Sequence, residues 1–164
     1  MSELTVKLQS AKLKNLQTYI QSGNLIFKHQ QLAAEILAGK IKGVIENEFG
    51  YQVPVIVLRA AELNEIIASN PFLQNSAKDE SMLHVSYLSE MPEQTAINRL
   101  NAYADLPNEF AIGNKAVYLY CPHGYSKTKQ TNNFLEKRLD VTATTRNWKT
   151  STKLAEIANN LSSI

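Results

Sequence analysis

The chain has 164 residues, 44% hydrophobic and 20% charged, with a net charge of +2. That is the balance of a globular protein long enough to bury roughly two thirds of its unfolded surface. No apolar run approaches the roughly 18 residues a membrane span needs, and MSELTVKLQS lacks the basic head, apolar block and cleavage site of a secretory signal. With Cys121 the single cysteine, no internal disulfide can form, and these features together lead us to expect a cytoplasmic protein without a membrane partner.

In chain order, residues 3–14 read as a short helix with Leu4, Leu8 and Leu13 on one side. LQTYIQ and NLIFKH follow as strands joined through Ser22 and Gly23, a hairpin signal. Residues 31–49 form the clearest helix, with Leu32, Ile36, Leu37, Ile41, Val44, Ile45 and Phe49 recurring at helical spacing and Gly50 as its C-cap. VPVIVL, 53–58, has the β-branched density of a buried strand, and AAELNEIIA is a helix that Asn70 and Pro71 end.

The second half restates that order. MLHVSYLS (82–89) alternates like a strand, a helix runs from Pro92 to Ala104, and EFAIG and AVYLY are strands joined by Asn114 and Lys115. A helix over 128–139, a short strand over 141–144 and a last helix over 151–160 complete it. This is β-α-β-β-α-β, the split βαβ pattern, whereas the first half is α-β-β-α-β, the same pattern without its opening strand. We therefore expect an α+β fold of two ferredoxin-like halves, 1–76 and 77–164, forming one compact unit. The first strand of such a unit lies inside the sheet, so its absence leaves backbone groups unpaired on two neighbours. A rearranged pairing, a strand from a second copy in a homodimer, or residues upstream of Met1 would each fill the place.

Four words in this order, TYIQSGNLIF (18–27), NPF (70–72), VYLYCPHGYSKTKQTNNFLEK (117–137) and TATTRNWKTSTKL (142–154), resemble the bacterial family known as domain of unknown function 1697. The resemblance implies an α+β fold of two ferredoxin-like halves and brings no activity with it. It also implies an opening strand and a glycine-bearing loop of the form Arg-Gly-Ile-Asn-Val-Gly ahead of the first helix, which this sequence does not contain. At Ser126 the family leads us to expect glycine.

Charge is uneven. Residues 121–153 hold seven basic against two acidic side chains, +5, which leaves −3 for the rest of the chain. Within the basic stretch, PHGYSKTKQTNN follows a strand and opens a helix, so that Ser126, Lys127, Thr128 and Lys129 are candidates to cradle a phosphate or carboxylate at a helix N-terminus. The alternative is that Ser126 or Thr128 only caps the helix while the lysines are solvated. The spacing is not that of a nucleotide P-loop. In RNW, Arg146 offers bidentate anion binding and Asn147 hydrogen bonds, while Trp148 reads as buried apolar area with Thr150 or Ser151 capping the last helix. Gln21, Ser22 and Asn24 in QSGN bring polar groups beyond what a turn needs, although such residues are also ordinary turn formers.

Cys121 and His123 are two apart at a strand end, but with no acidic partner nearby they read as a small buried hydrophobe beside a loop histidine. The three histidines, at 29, 84 and 123, show no metal-ligand spacing with Cys121, so neither a metal nor a cofactor is expected. The first functional reading is binding of a small anionic ligand. An enzyme acting by transfer on a phosphorylated or nucleotide substrate comes second. A nucleic-acid module, with Tyr118 and Tyr120 as stacking platform on one strand face, is third and disfavoured because the chain is not strongly basic.

Overall fold

A computed structural model of the chain describes residues 2–8, 13–20, 23–29, 32–103 and 108–162. These divide into two units, residues 1–60 with 153–164, and residues 61–152. Residues 61–76, expected with the first half, fall in the second unit, and the end of the last helix falls in the first.

In the first unit, α1 (Ser2–Leu8) precedes an antiparallel hairpin of β1 (Lys14–Tyr19) and β2 (Asn24–Lys28), and α2 (Ala34–Phe49) follows. The C-cap expected at Gly50 is present: its φ of 72° lies in the left-handed region that suits glycine, and its N–H donates to the Glu46 carbonyl at 2.9 Å. Leu8, Leu13, Leu37 and Ile41 form the core of this unit, with Leu16, Leu25, Phe27, Val55 and Val57 packed against them. The expected strand at 53–58 is not formed, since residues 51–59 adopt no regular secondary structure. A strand exists only through its ladder, and in a split βαβ unit the last strand pairs with the first, which has no counterpart among the described residues.

The second unit begins with α3 (Ala60–Ala68) and a 3₁₀ turn over Pro71–Gln74, whose N-cap Asn70 accepts from the Phe72 N–H. Then come β3 (Leu83–Leu88), α4 (Gln94–Asn101), β4 (Glu109–Gly113), β5 (Ala116–Tyr120), α5 (Asn132–Leu139), β6 (Ala143–Asn147) and α6 (Trp148–Ser162). The strands form one sheet in the order β4-β5-β3-β6, antiparallel throughout, with β3 between β5 and β6 as a split βαβ unit requires. One face carries Leu88, Val117, Leu119 and Ala143 against Ala96 and Leu100 of α4 and Leu135 and Leu139 of α5.

Residues alternate across a sheet, so Val85, Tyr87, Tyr118, Tyr120, Thr144 and Arg146 share the other face. The 61–82 segment covers the tyrosines there. Tyr118 is 2% exposed and donates to the Ile66 carbonyl at 2.8 Å, while Lys78 sits 4.0 Å from the Tyr120 ring centroid and pairs with Glu109. A stacking platform needs an open face, and at Tyr118 this one is closed.

Two helix starts differ from expectation. α5 opens at Asn132 rather than 128, because Thr131 caps it by accepting from the Phe134 N–H, and Thr128 is buried in bonds with Gln130. α6 opens at Trp148 rather than 151, because the Asn147 side chain, three residues before Thr150, accepts the Thr150 N–H at 2.8 Å. Asn147 therefore does the capping expected of Thr150 or Ser151.

Candidate functional site

Two polar clusters flank the β3–β6 pair, one on each face of the sheet. On the helix-covered face, Thr145 Oγ1 lies 2.6 Å from Ser86 Oγ and donates to Asn132 Oδ1 at 2.6 Å, while the Tyr125 hydroxyl donates to Thr145 at 3.2 Å. The His84 ring stacks on Tyr125 at 5.1 Å, with Nδ1 3.3 Å from the Met82 carbonyl. That contact makes Nδ1 the protonated nitrogen, and burial holds the imidazole below its ordinary pKa, hence neutral at pH 7. Each hydroxyl in this cluster is satisfied, and a satisfied buried network mainly fixes structure. It joins β3, β6, the 125–127 turn and α5.

The opposite face behaves differently. Tyr87 is 4% exposed and Ser151, in the first turn of α6, is fully buried, yet among the described residues neither side-chain oxygen makes a well-formed hydrogen bond, the two hydroxyls offering each other only a loose contact. Arg146, half-buried, faces Tyr87 and is held by Nη1 bonds of 2.8 Å to Thr144 Oγ1 and to the Thr145 carbonyl. Burial drives the Tyr87 phenol up to about 12, with Ser151 and Arg146 opposing the rise; burial also lowers the Arg146 guanidinium, which the phenol partly offsets. A buried hydroxyl without a well-formed hydrogen bond costs on the order of 1–3 kcal/mol, so a native fold that leaves two such groups facing one another calls for a reason.

A folded-state phenol that keeps its proton to about 12 while the unfolded chain releases it near 10 stabilises the protein fully below pH 10. That contribution is lost as pH rises from 10 to 12. Tyr87→Phe should therefore flatten alkaline unfolding by on the order of 2 kcal/mol between those limits, measured by urea denaturation at fixed pH.

Of the residues singled out from sequence, Arg146 lies on this face and Asn147 caps α6 beside it. The basic loop does not join them: Ser126 and Lys127 are exposed in the 3₁₀ turn Tyr125–Lys127, which Tyr125 ties to the helix-covered face. Thr128 is buried and Lys129 exposed. Asn24 belongs to the first unit, where it is buried and its amide donates to the Tyr19 carbonyl at 3.0 Å, closing the hairpin. Gln21 and Ser22 lie outside the described residues. Cys121 is buried in the core with its thiol pushed up by burial, whereas His123 is exposed. Among the described residues no group of three or more histidine, cysteine or acidic side chains is placed to hold a metal ion. Tyr87 and Ser151 carried no sequence signal beyond strand alternation and a helix start, because their juxtaposition spans 64 positions.

These two units define an α+β protein in which an antiparallel sheet is covered by helices. No helix among the described residues is long and apolar enough to cross a membrane. Residues 1–118 match the family described as protein of unknown function (DUF1697), and the chain belongs to that family. Among solved structures, the conserved bacterial protein SP0830 from Streptococcus pneumoniae is similar in fold, with a TM-score of 0.74 over 97% of this chain and 88% of that one at 18% identity. No curated protein matches the sequence.

Proposed function

We propose that the protein binds a small anionic ligand, through a phosphate or carboxylate group, where Arg146 meets the first turn of α6. The observation that carries this reading is the pair of buried hydroxyls, Tyr87 and Ser151, which among the described residues make no well-formed hydrogen bond and lie beside a half-buried guanidinium. Two hydroxyl donors, a fork-shaped cation and the positive end of a 15-residue helix are the groups an oxyanion needs. The enzyme reading placed its chemistry in QSGN, and there the Asn24 amide is already committed to the hairpin.

Inorganic phosphate serves as the probe, with sodium chloride at matched ionic strength as control. At about 10 mM phosphate the melting temperature should rise above the chloride control, and Arg146→Ala should weaken binding about tenfold or more, the worth of one charge-assisted bond. Tyr87→Phe should weaken it less without unfolding the protein. An equal response to chloride and phosphate in the unsubstituted protein rejects the reading.

A further inference from the structure

In the second unit the Lys78 ammonium is walled in by Phe72, Tyr120 and Glu109, and we propose that these three residues form a binding cage for a primary alkylammonium group, which Lys78 fills from within the chain and yields to an outside amine. Two walls are aromatic: Nζ lies 4.0 Å from the Tyr120 ring centroid and 5.1 Å from that of Phe72, and the two rings stand 6.3 Å apart at 47°. The third wall is the Glu109 carboxylate, which accepts a hydrogen bond from Nζ. Ring faces attract a cation through their quadrupole, and a carboxylate favours one that carries N–H. Together they select an ammonium with at least one proton to donate.

The walls are fixed, whereas the occupant is held by its tip. Tyr120 on β5 is paired with Glu109 on β4 and with Leu83 on β3, and Phe72 is buried with its N–H bonded to Asn70 Oδ1 at 3.0 Å. Lys78 comes instead from the turn 75–79, whose other residues are all exposed. The turn's own hydrogen bonds run to neighbours a few positions away, so among the described residues the Lys78 side chain is its one polar link to the sheet. The Lys78 side chain is 11% exposed but that of Glu109 is 41% exposed, so the cage opens to water along the carboxylate. A lysine chain gives up rotamer freedom to sit there, and an ion pair with a part-exposed carboxylate is weak, which limits closure from within to about tenfold. An outside amine then binds with its affinity reduced by that factor. The group that fits is the one Lys78 carries, a primary ammonium on an unbranched alkyl chain.

The test titrates n-propylammonium chloride, which supplies the atoms that Lys78→Ala removes, into the unsubstituted chain and into Lys78→Ala, and follows the amide NMR signals of Phe72, Glu109 and Tyr120. Sodium chloride at matched ionic strength and n-propanol are the controls. Saturable shifts should appear at about 10 mM in Lys78→Ala and at about tenfold higher concentration in the unsubstituted chain, and with neither control. Glu109→Gln should weaken the response about tenfold, the worth of one charge-assisted bond. The proposal is overturned if the unsubstituted chain gives no saturable response beyond sodium chloride, in which case Lys78 only pins the turn. It is also overturned if n-propanol acts as propylammonium does, or if tetramethylammonium, which has no N–H, binds as tightly. Should Lys78→Ala fail to fold, the titrations of the unsubstituted chain decide by themselves. The buffers contain no phosphate, so none of these outcomes depends on anion binding at Arg146.

Discussion

Leu119→Ala should cost about 2–5 kcal/mol, enough to erase much of the stability of an ordinary domain. Leu119 is 1% exposed on β5, the strand between β4 and β3, and its side chain belongs to the core shared with Leu100, Leu135 and Leu139. Three walls of that site are rigid. The strand is hydrogen-bonded on both edges and two helices press on its face, so the cavity left by the lost methyl groups collapses only in part. Urea denaturation followed by circular dichroism measures the loss. A cost below 1 kcal/mol would mean that the helix layer over the sheet is mobile.

Gly113→Ala is expected to destabilise by about 1–2 kcal/mol, against the usual direction for removing glycine from a strand. Glycine in a strand interior ordinarily costs roughly 0.5–1 kcal/mol relative to alanine, which favours the substitution. Here a Cβ would meet Cε2 of Tyr118 at 2.7 Å, far inside contact distance. Overpacking of that kind costs about 1–3 kcal/mol when the neighbour cannot move. Tyr118 is buried and its hydroxyl is anchored to the Ile66 carbonyl, so it cannot swing aside without breaking that bond. Tyr118→Leu, which removes the ring, should cancel most of the penalty in the double variant, and a thermodynamic cycle of the four proteins measures that coupling. Additive effects would contradict the proposed clash.

Much of the architecture was legible from residues alone. The hairpin, the helix ending at Gly50, the helix over Ala60–Ala68 and the strands at 83–88, 109–113 and 116–120 all follow from periodicities and caps that act within a few residues. Boundaries went astray where two caps competed. Thr128 and Thr131 are both acceptable N-caps by type, and burial of Thr128 with Gln130 leaves the role to Thr131.

The site was legible only in part. Arg146 stood out by its charge, but whether it meets Lys127 depends on which face of the sheet each occupies. The strand register resolves that through one alternation, placing Arg146 with Tyr87 and Val85 and Thr145 with Tyr125. A shift of one residue would reverse the result.

By itself the sequence determined the α+β class and most of the individual helices and strands, because each is written in local spacing. Only the tertiary structure decided that VPVIVL forms no strand, that the Tyr118 face is closed and that Tyr87, Ser151 and Arg146 meet. Those outcomes rest on hydrogen-bond partners and packing surfaces supplied by residues far along the chain, and local propensity carries no information about a partner that is present or missing.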